Sequence, residues 1–257
     1  MRVKLSSGEM KEVNKEDLNF KHYVLCGDAT FKEDVDKLMN GKKADMVFTD
    51  PPYGVNYTNK SDRMGNEDYN EIQGDLTIDS AREIWKKSFK NIYDILKEGG
   101  SYYVTAPQGG DQMKMMMMMM EENIKCKHEL IWVKNSPVFS MGRLDYDYQH
   151  EPILYGWKGS HNFYGNGKFK KSIWEIERDS NKSHPTMKPV ELVSNAIKNS
   201  SNKNMVIIDL FGGSGSTLIA CEQTNRKCYM MEIDPTYVSV ILERYEQLTN
   251  KKPFKIK

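Results

Sequence analysis

Four consecutive residues, Asp50-Pro51-Pro52-Tyr53, put a carboxylate, two rigid prolines and an aromatic ring directly after the apolar run Asp45 to Thr49. Residues of these types suit the activation of an amine conjugated to a ring, such as the exocyclic amine of adenine. The lone pair of that amine is delocalised and must be localised before it can attack a sulfonium methyl. The Asp50 carboxylate and the Pro51 carbonyl can each accept one amine hydrogen and favour the positive charge that develops on nitrogen in the transition state. Pro51 and Pro52 fix the backbone and remove competing N–H donors. Tyr53 offers an aromatic face to a base taken out of a duplex. Taken alone, the tetrapeptide is also an ordinary proline turn after a strand.

A second motif changes that balance. In Val206 to Thr217 an apolar strand runs into Asp209-Leu210-Phe211-Gly212-Gly213-Ser214-Gly215 and then into a helix expected to begin near Ser216. A doubly wound fold presents bare backbone to a nucleotide-like ligand in this way. Glu232 follows about 20 residues on, at the end of the next strand, where a carboxylate can accept hydrogen bonds from ribose hydroxyls. The loop has neither the lysine of a phosphate-binding loop nor the third glycine of the dinucleotide fingerprint, so a nucleoside cofactor without pyrophosphate fits better.

The elements that must position these groups follow from the apolar pattern. Tyr23 to Cys26, Asp45 to Thr49, Ser101 to Thr105, Leu130 to Val133, Met205 to Asp209 and Lys227 to Met231 read as strands, most of them too apolar for a one-sided sheet and so expected to be buried on both faces. They alternate with amphipathic segments, which predicts a parallel α/β sheet covered by helices. One helix is expected to open at a Ser80-x-x-Glu83 capping box, bury Ile84, Trp85, Phe89, Ile92, Tyr93 and Leu96, and stop at Gly99-Gly100. Pro189 opens another over Val190 to Lys198. Asp234 and Pro235 open a last one, with Tyr237, Val238, Ile241, Leu242, Tyr245 and Leu248 as its buried stripe. The stretch Gly54 to Asp79 reads as a long loop of the functional kind. Residues 135–183 read as a β-rich insertion, and Met113 to Met120 as a soft amphipathic helix.

Composition bounds the rest. The chain has 257 residues, enough for a single catalytic domain over 1–257. Lys and Arg number 37 against 36 Asp and Glu, so a nucleic-acid surface must come from local clustering. Cys26, Cys126, Cys221 and Cys228 have no spacing for zinc or a disulfide framework, and no metal is expected. With no apolar signal core and no bilayer-length apolar run, a soluble cytoplasmic protein is expected.

Together these motifs resemble the amino-methyltransferases of DNA, in the β-type order. Asp50-Pro51-Pro52-Tyr53 matches their catalytic motif and precedes the cofactor motif Asp209-x-Phe211-x-Gly213-x-Gly215. The segment Ser183-His184-Pro185-Thr186-Met187-Lys188-Pro189 is similar to the family's helix-opening motif beside the cofactor's methionine end. His150 to Trp157 resembles short prophage-type, site-specific adenine methylases. The resemblance implies a Rossmann-like class I methyltransferase sheet, circularly permuted, with a small β-rich recognition insertion. It also implies S-adenosyl-L-methionine as cofactor, N6 of adenine in DNA as target, and a place in a restriction-modification system. By the same resemblance Phe211, Gly212, Gly213, Ser214, Gly215 and Ser216 line the cofactor with Asp209. Glu232 holds the ribose, Asp28 meets the adenine, and Lys188 lies near the methionine carboxylate. A homodimer is compatible with the family pattern.

For DNA, two groups of residues are singled out. Asn56, Tyr57 and Lys60 in the loop after Tyr53 are expected to close over the flipped base. Lys158, Lys168, Lys170, Lys171 and Arg178, interleaved with Trp157, Phe163, Tyr164, Phe169 and Trp174, can neutralise phosphates while the rings stack or wedge bases. A solvated hairpin with a small aromatic core accounts for the same pattern. So few side chains remain to read base edges that a short or relaxed target is expected. Alternatives are N4-cytosine methylation, an RNA or protein-amide target, and an inactive DNA-binding partner subunit. Asp rather than Ser at the first motif position favours adenine, and retention of Asp50 and the glycines favours an active enzyme.

Overall fold

The apolar runs pair into one eight-stranded sheet, whose central strands Ala44–Thr49, Leu96–Thr105, Val206–Asp209 and Lys227–Glu232 are almost wholly buried while the margin strands His22–Cys26 and Ile173–Glu175 stay partly exposed. In a computed structural model, residues 2–4, 10–12, 21–54, 77–137, 145–165, 167–178 and 187–253 are described. A separate pair, β1 (Arg2–Lys4) and β2 (Met10–Glu12), is antiparallel. The main sheet contains β3 (His22–Cys26), β4 (Ala44–Thr49), β5 (Leu96–Thr105), β6 (His128–Val133), β7 (His150–Trp157), β8 (Ile173–Glu175), β9 (Val206–Asp209) and β10 (Lys227–Glu232). Their spatial order is β3-β10-β9-β4-β5-β7-β6-β8. Neighbours are parallel except β7, which runs antiparallel to both β5 and β6.

Helices cover both faces. On one face α1 (Lys32–Met39), α2 (Ile78–Ile95) and α3 (Gly110–Glu121) bury Leu38, Trp85, Phe89, Ile92, Met115 and Met119 against Val47, Tyr102, Val104, Ile208 and Met231. On the other, α4 (Val190–Ser200), α5 (Ser216–Thr224) and α6 (Pro235–Thr249) bury Leu192, Val193, Ile197, Leu218 and Ile241 against Met46, Phe48, Ile207 and Met230. Each fully buried large side chain contributes roughly 1.5–3 kcal/mol, so the two layers hold the sheet as a rigid platform for the residues at its edges.

The structure departs from the sequence expectation in four places. Helix α2 opens at Thr77, whose hydroxyl accepts from Ser80 N while Ser80 Oγ accepts from Thr77 N. That reciprocal pair replaces the expected Ser80–Glu83 box and leaves Glu83 free to line the central cavity. Gly99 and Gly100 do not end α2, which stops at Ile95. They lie inside β5, at a shift of its register against β4. Residues 150–157, expected within an insertion, form β7 in the interior of the sheet. Pro152 disguises this strand, since proline cannot donate to a ladder, yet its carbonyl accepts from Ala106 N. In α6 only Ile241 is fully buried and Leu248 is exposed, because this helix covers the β3–β10 margin and not the sheet centre. The methionine tract is helical as expected, burying Met115 and Met119 and exposing Met113, Met117 and Met120.

Candidate active site

Because β3, β10, β9 and β4 are parallel neighbours, their carboxyl ends open on the same edge of the sheet, where ligands of open α/β folds bind. A cavity of about 580 Å³ lies there, within the roughly 300–1,000 Å³ typical of small-molecule sites. Gly27 and Asp28, Asp50 to Tyr53, Phe211 to Ser214, Lys188 and Glu232 all line it.

The glycine loop is held from behind by a buried acid. Asp209 Oδ1 accepts from Thr49 Oγ1 at 3.0 Å and from Phe211 N at 3.1 Å, and Oδ2 accepts from Thr217 Oγ1 at 2.6 Å. Burial pushes its carboxyl up to about 7, against the opposing pull of those bonds from Thr217, Phe211 and Thr49. Gly213 and Gly215 have φ of +50° and +85°, and Gly215 N donates to Gly212 O at 2.8 Å. A Cβ on Gly212 would stand 2.8 Å from Met230 Cγ, so the turn packs directly on β10. Ser216 sits at the start of α5 and donates through Oγ to Lys188 O at 2.6 Å, tying the loop to the residue before Pro189.

Glu232 ends β10. Its Oε2 accepts from Gly213 N at 2.7 Å and its Oε1 from Asp234 N at 3.0 Å. Burial raises this carboxyl above its ordinary range, partly offset by the backbone donors. Gly27 N donates to Glu232 O at 3.0 Å, which sets Asp28 beside Glu232 across neighbouring strand ends. The Asp28 side chain meanwhile accepts from Thr30 N at 2.8 Å, a turn-forming bond.

Asp50 is bonded by three side chains, and a fourth holds the turn that carries it. The hydroxyls of Thr105 on β5 and of Tyr53 both bond Oδ1, the latter at 2.7 Å. Lys188 Nζ donates to Oδ2 at 2.6 Å. The indole N–H of Trp85 on α2 donates to Pro52 O at 2.8 Å, fixing the turn. Tyr53 packs against the core on the α1–α3 side, and burial with the nearby Asp50 charge pushes its hydroxyl well above its usual range. That hydroxyl therefore stays a donor at neutral pH.

Sequence reasoning missed Thr105, Trp85, Trp132, Lys134 and Glu151, all of which line this cavity or bond the motif. Glu151, the second residue of β7, pairs with Lys134 and lies 3.3 Å from Lys188 Nζ. Burial alone would raise the Glu151 carboxyl, but the Lys188 and Lys134 ammoniums outweigh it and hold it below the usual range. A charge at the mouth of an apolar run, Glu151 before Pro152-Ile153-Leu154-Tyr155, was the available signal.

Of the residues expected to meet DNA, Arg178 lines the cavity and donates to Ser136 O at 3.2 Å. Lys158 is elsewhere. Its ammonium donates to Tyr93 O at 2.6 Å and Leu96 O at 3.2 Å, at the amino end of β5 and the opposite edge of the sheet. It caps the C-terminal carbonyls of α2, where a cation is favoured. Lys170 bonds Asn195 of α4, and with Lys171 it lines a separate groove between β8 and α4. Lys168 is exposed. Asn56, Tyr57 and Lys60 lie outside the described residues, as do 183–186 of the helix-opening segment.

A family model described as DNA methylase, covering N6 and N4 methyltransferases, matches residues 44–243. The chain belongs to this DNA methylase family. Among relatives of the methylase, the Type II methyltransferase M.HinfI of Haemophilus influenzae is 25% identical over 91% of this chain and 71% of its own length. The DNA adenine methyltransferase YhdJ of Escherichia coli K12 is 24% identical over 87% and 82%. The solved structure of M1.HpyAVI in complex with SAM superposes with a TM-score of 0.64 at 20% identity, covering 87% of this chain and 99% of that one. The cytosine-N4-specific PvuII DNA methyltransferase superposes at 0.66 with 17% identity over 87% and 86%. The methylase thus has the class I methyltransferase fold.

Proposed function

We propose that this DNA methylase transfers the methyl group of S-adenosyl-L-methionine to N6 of adenine in DNA, by flipping the base and in-line attack. The observation that carries the reading is the Asp50 carboxylate, fixed by Thr105, Tyr53 and Lys188 in the same cavity as the glycine loop. The cavity fits such a cofactor: Glu232 places a carboxylate in it beside the turn, Gly212 and Gly213 leave bare backbone, and Phe211 adds apolar surface. When bound, the cofactor supplies an electrophilic methyl on sulfonium. Asp50 and the Pro51 carbonyl would each accept a hydrogen bond from the amine, Trp85 keeps the turn rigid through Pro52 O, and Asp50 faces the charge that grows on nitrogen.

The names of M.HinfI and YhdJ support a type II modification role and adenine as target. The order of Asp50 before Gly215 along the chain, with β9 between β10 and β4 in space, supports a circularly permuted sheet. Arg178 at the cavity, with the exposed Lys168 and Lys171 nearby in sequence, supports a DNA-facing side formed by the segment after β7.

The test is incubation with unmethylated duplex DNA and cofactor, digestion to nucleosides, and mass spectrometry, with Asp50→Ala alongside. N6-methyladenine that vanishes in the variant is the expected result. N4-methylcytosine would overturn the base, and no methylated nucleoside from the wild type would overturn the reading.

A further inference from the structure

Glu151 has no part in the mechanism above, although it is largely buried beside the reacting groups. Its Oε1 is paired with Lys134, itself a buried residue. Its Oε2 lies 3.3 Å from Lys188 Nζ but outside hydrogen-bonding geometry, and among the described residues no donor bonds it. The four side chains alternate in charge, in the order Lys134, Glu151, Lys188, Asp50.

The position of Lys188 conflicts with the chemistry. Positive charge passes from the sulfonium to the attacking amine, so Asp50 serves the transition state best as an uncompensated carboxylate. Its Oδ1 is taken by two neutral hydroxyls, which leave its charge intact. Its Oδ2, where an incoming amine would bond, carries the Lys188 ammonium at 2.6 Å. That ammonium both occupies the acceptor and opposes the developing charge. The backbone of Lys188 is pinned, because its carbonyl accepts from Ser216 Oγ at 2.6 Å. Only the end of its long side chain need swing. Glu151 Oε2 is the acceptor within reach, and a shift of about half an ångström would bring it to charge-assisted hydrogen-bond distance.

We propose that Glu151 is a positioning residue for methyl transfer, a second berth onto which Lys188 moves from Asp50 when the target amine enters. This rests on the reading of the site as an amino-methyltransferase centre. Lys134 keeps Glu151 ionised and aimed, and the β7 ladder keeps it in place. The shift leaves Asp50 uncompensated without expelling a buried cation into apolar surroundings.

The deciding experiment combines Glu151→Gln with Lys188→Met. Glu151→Gln removes the berth's charge at nearly constant shape, so Lys188 stays on Asp50. At saturating cofactor and DNA, kcat is expected to fall about 10- to 100-fold, with the cofactor Kd within about threefold and the thermal midpoint close to wild type. Adding Lys188→Met removes the obstructing ammonium, and the double variant is expected to recover about tenfold in kcat, at the expense of a raised cofactor KM. A merely structural role for Glu151 gives no such recovery. Wild-type kcat in Glu151→Gln, or a double variant no faster than the single one, overturns the proposal. A crystal structure of the wild type with sinefungin and target duplex gives a reading independent of the variants. Lys188 Nζ on Glu151 and away from Asp50 supports the second berth, and a retained Lys188–Asp50 bond overturns it. Absence of any methylated nucleoside from the wild type is the separate failure of the site reading, and this proposal falls with it.

Discussion

The glycine loop and the Asp50 tetrapeptide stand at the ends of adjacent strands, β9 and β4, yet they are secured in different ways. The loop's turn is closed by short-range bonds, to which Glu232 and Thr49 add longer ones. Its turn closes through Gly215 N to Gly212 O, Phe211 N bonds Asp209 two residues back, and Thr217 bonds the same acid eight residues on. The tetrapeptide depends on residues far along the chain. Trp85 is 33 residues away, Thr105 is 55 from Asp50, and Lys188 is 138. Short-range constraint fixes the shape of the turn within the loop itself. Long-range constraint makes the tetrapeptide sensitive to whether the whole sheet has assembled.

The largest expected effect breaks the loop. Gly215→Ala puts a side chain at φ +85° with its Cβ 3.1 Å from Ile241 Cγ1, so both strain and contact distort the turn. Cofactor Kd by calorimetry is expected to rise about 100-fold, roughly 2.7 kcal/mol, while kcat at saturation changes far less. Equal losses in both would show that the two regions are not separable.

Next comes the pH dependence of Asp209. Burial holds its carboxyl at about 7 in the fold against an ordinary 3.8, so the folded chain binds a proton more tightly between those values. Its stability contribution is therefore fully present below about pH 4 and is lost as the pH rises to about 7. The difference in urea-unfolding free energy between wild type and Asp209→Asn should move against the wild type from pH 5 to 7, by at most about 1.4 kcal/mol per pH unit. A flat difference would mean that the three donors, not burial, set the acid.

Smaller effects sharpen the other half. Trp85→Phe removes the donor to Pro52 O from a fully buried position, and it is expected to lower kcat about tenfold with cofactor Kd unchanged, costing about 1–3 kcal/mol of stability. Thr105→Val deletes one of the two hydroxyls on Asp50 Oδ1 at nearly constant volume. A kcat reduction of about threefold is expected from this single neutral bond, and a shift in cofactor Kd instead would couple the tetrapeptide to the loop.

The same contrast explains what could be read in advance. Gly212 to Ser214 and Asp50 to Tyr53, which line the cavity, were legible because each motif lies in consecutive residues, and Glu232 was legible from its spacing of about 20 residues from the loop. Five of the six expected strands appear within two residues at either end, since a continuous apolar run marks burial on both faces, whereas β5 extends back through Gly99 and Gly100. Strand β7 was hidden by Pro152, and the start of α2 by a Thr77–Ser80 cap that competes with an equally plausible Ser80–Glu83 one. Thr105, Lys134 and Glu151 could not be assigned, because a lone Thr, Lys or Glu acquires meaning only from strands that meet across the sheet. Lys158 was misplaced for the same reason: its charge was visible, but the edge of the sheet it stands on was not.

The pairing of β3 with β10 aligns His22 with Cys228, whose amide donates to the His22 ring across a sequence separation of 206. During synthesis β3 and β4 therefore emerge long before the two strands that separate them. Until β9 and β10 arrive, both early strands present bare edges to one another and to other chains. Such distant pairings slow folding and invite association of incomplete chains. The strands that carry the cradle, β9 and β10, are thus the last of the sheet to be made, and their insertion seals the two halves together.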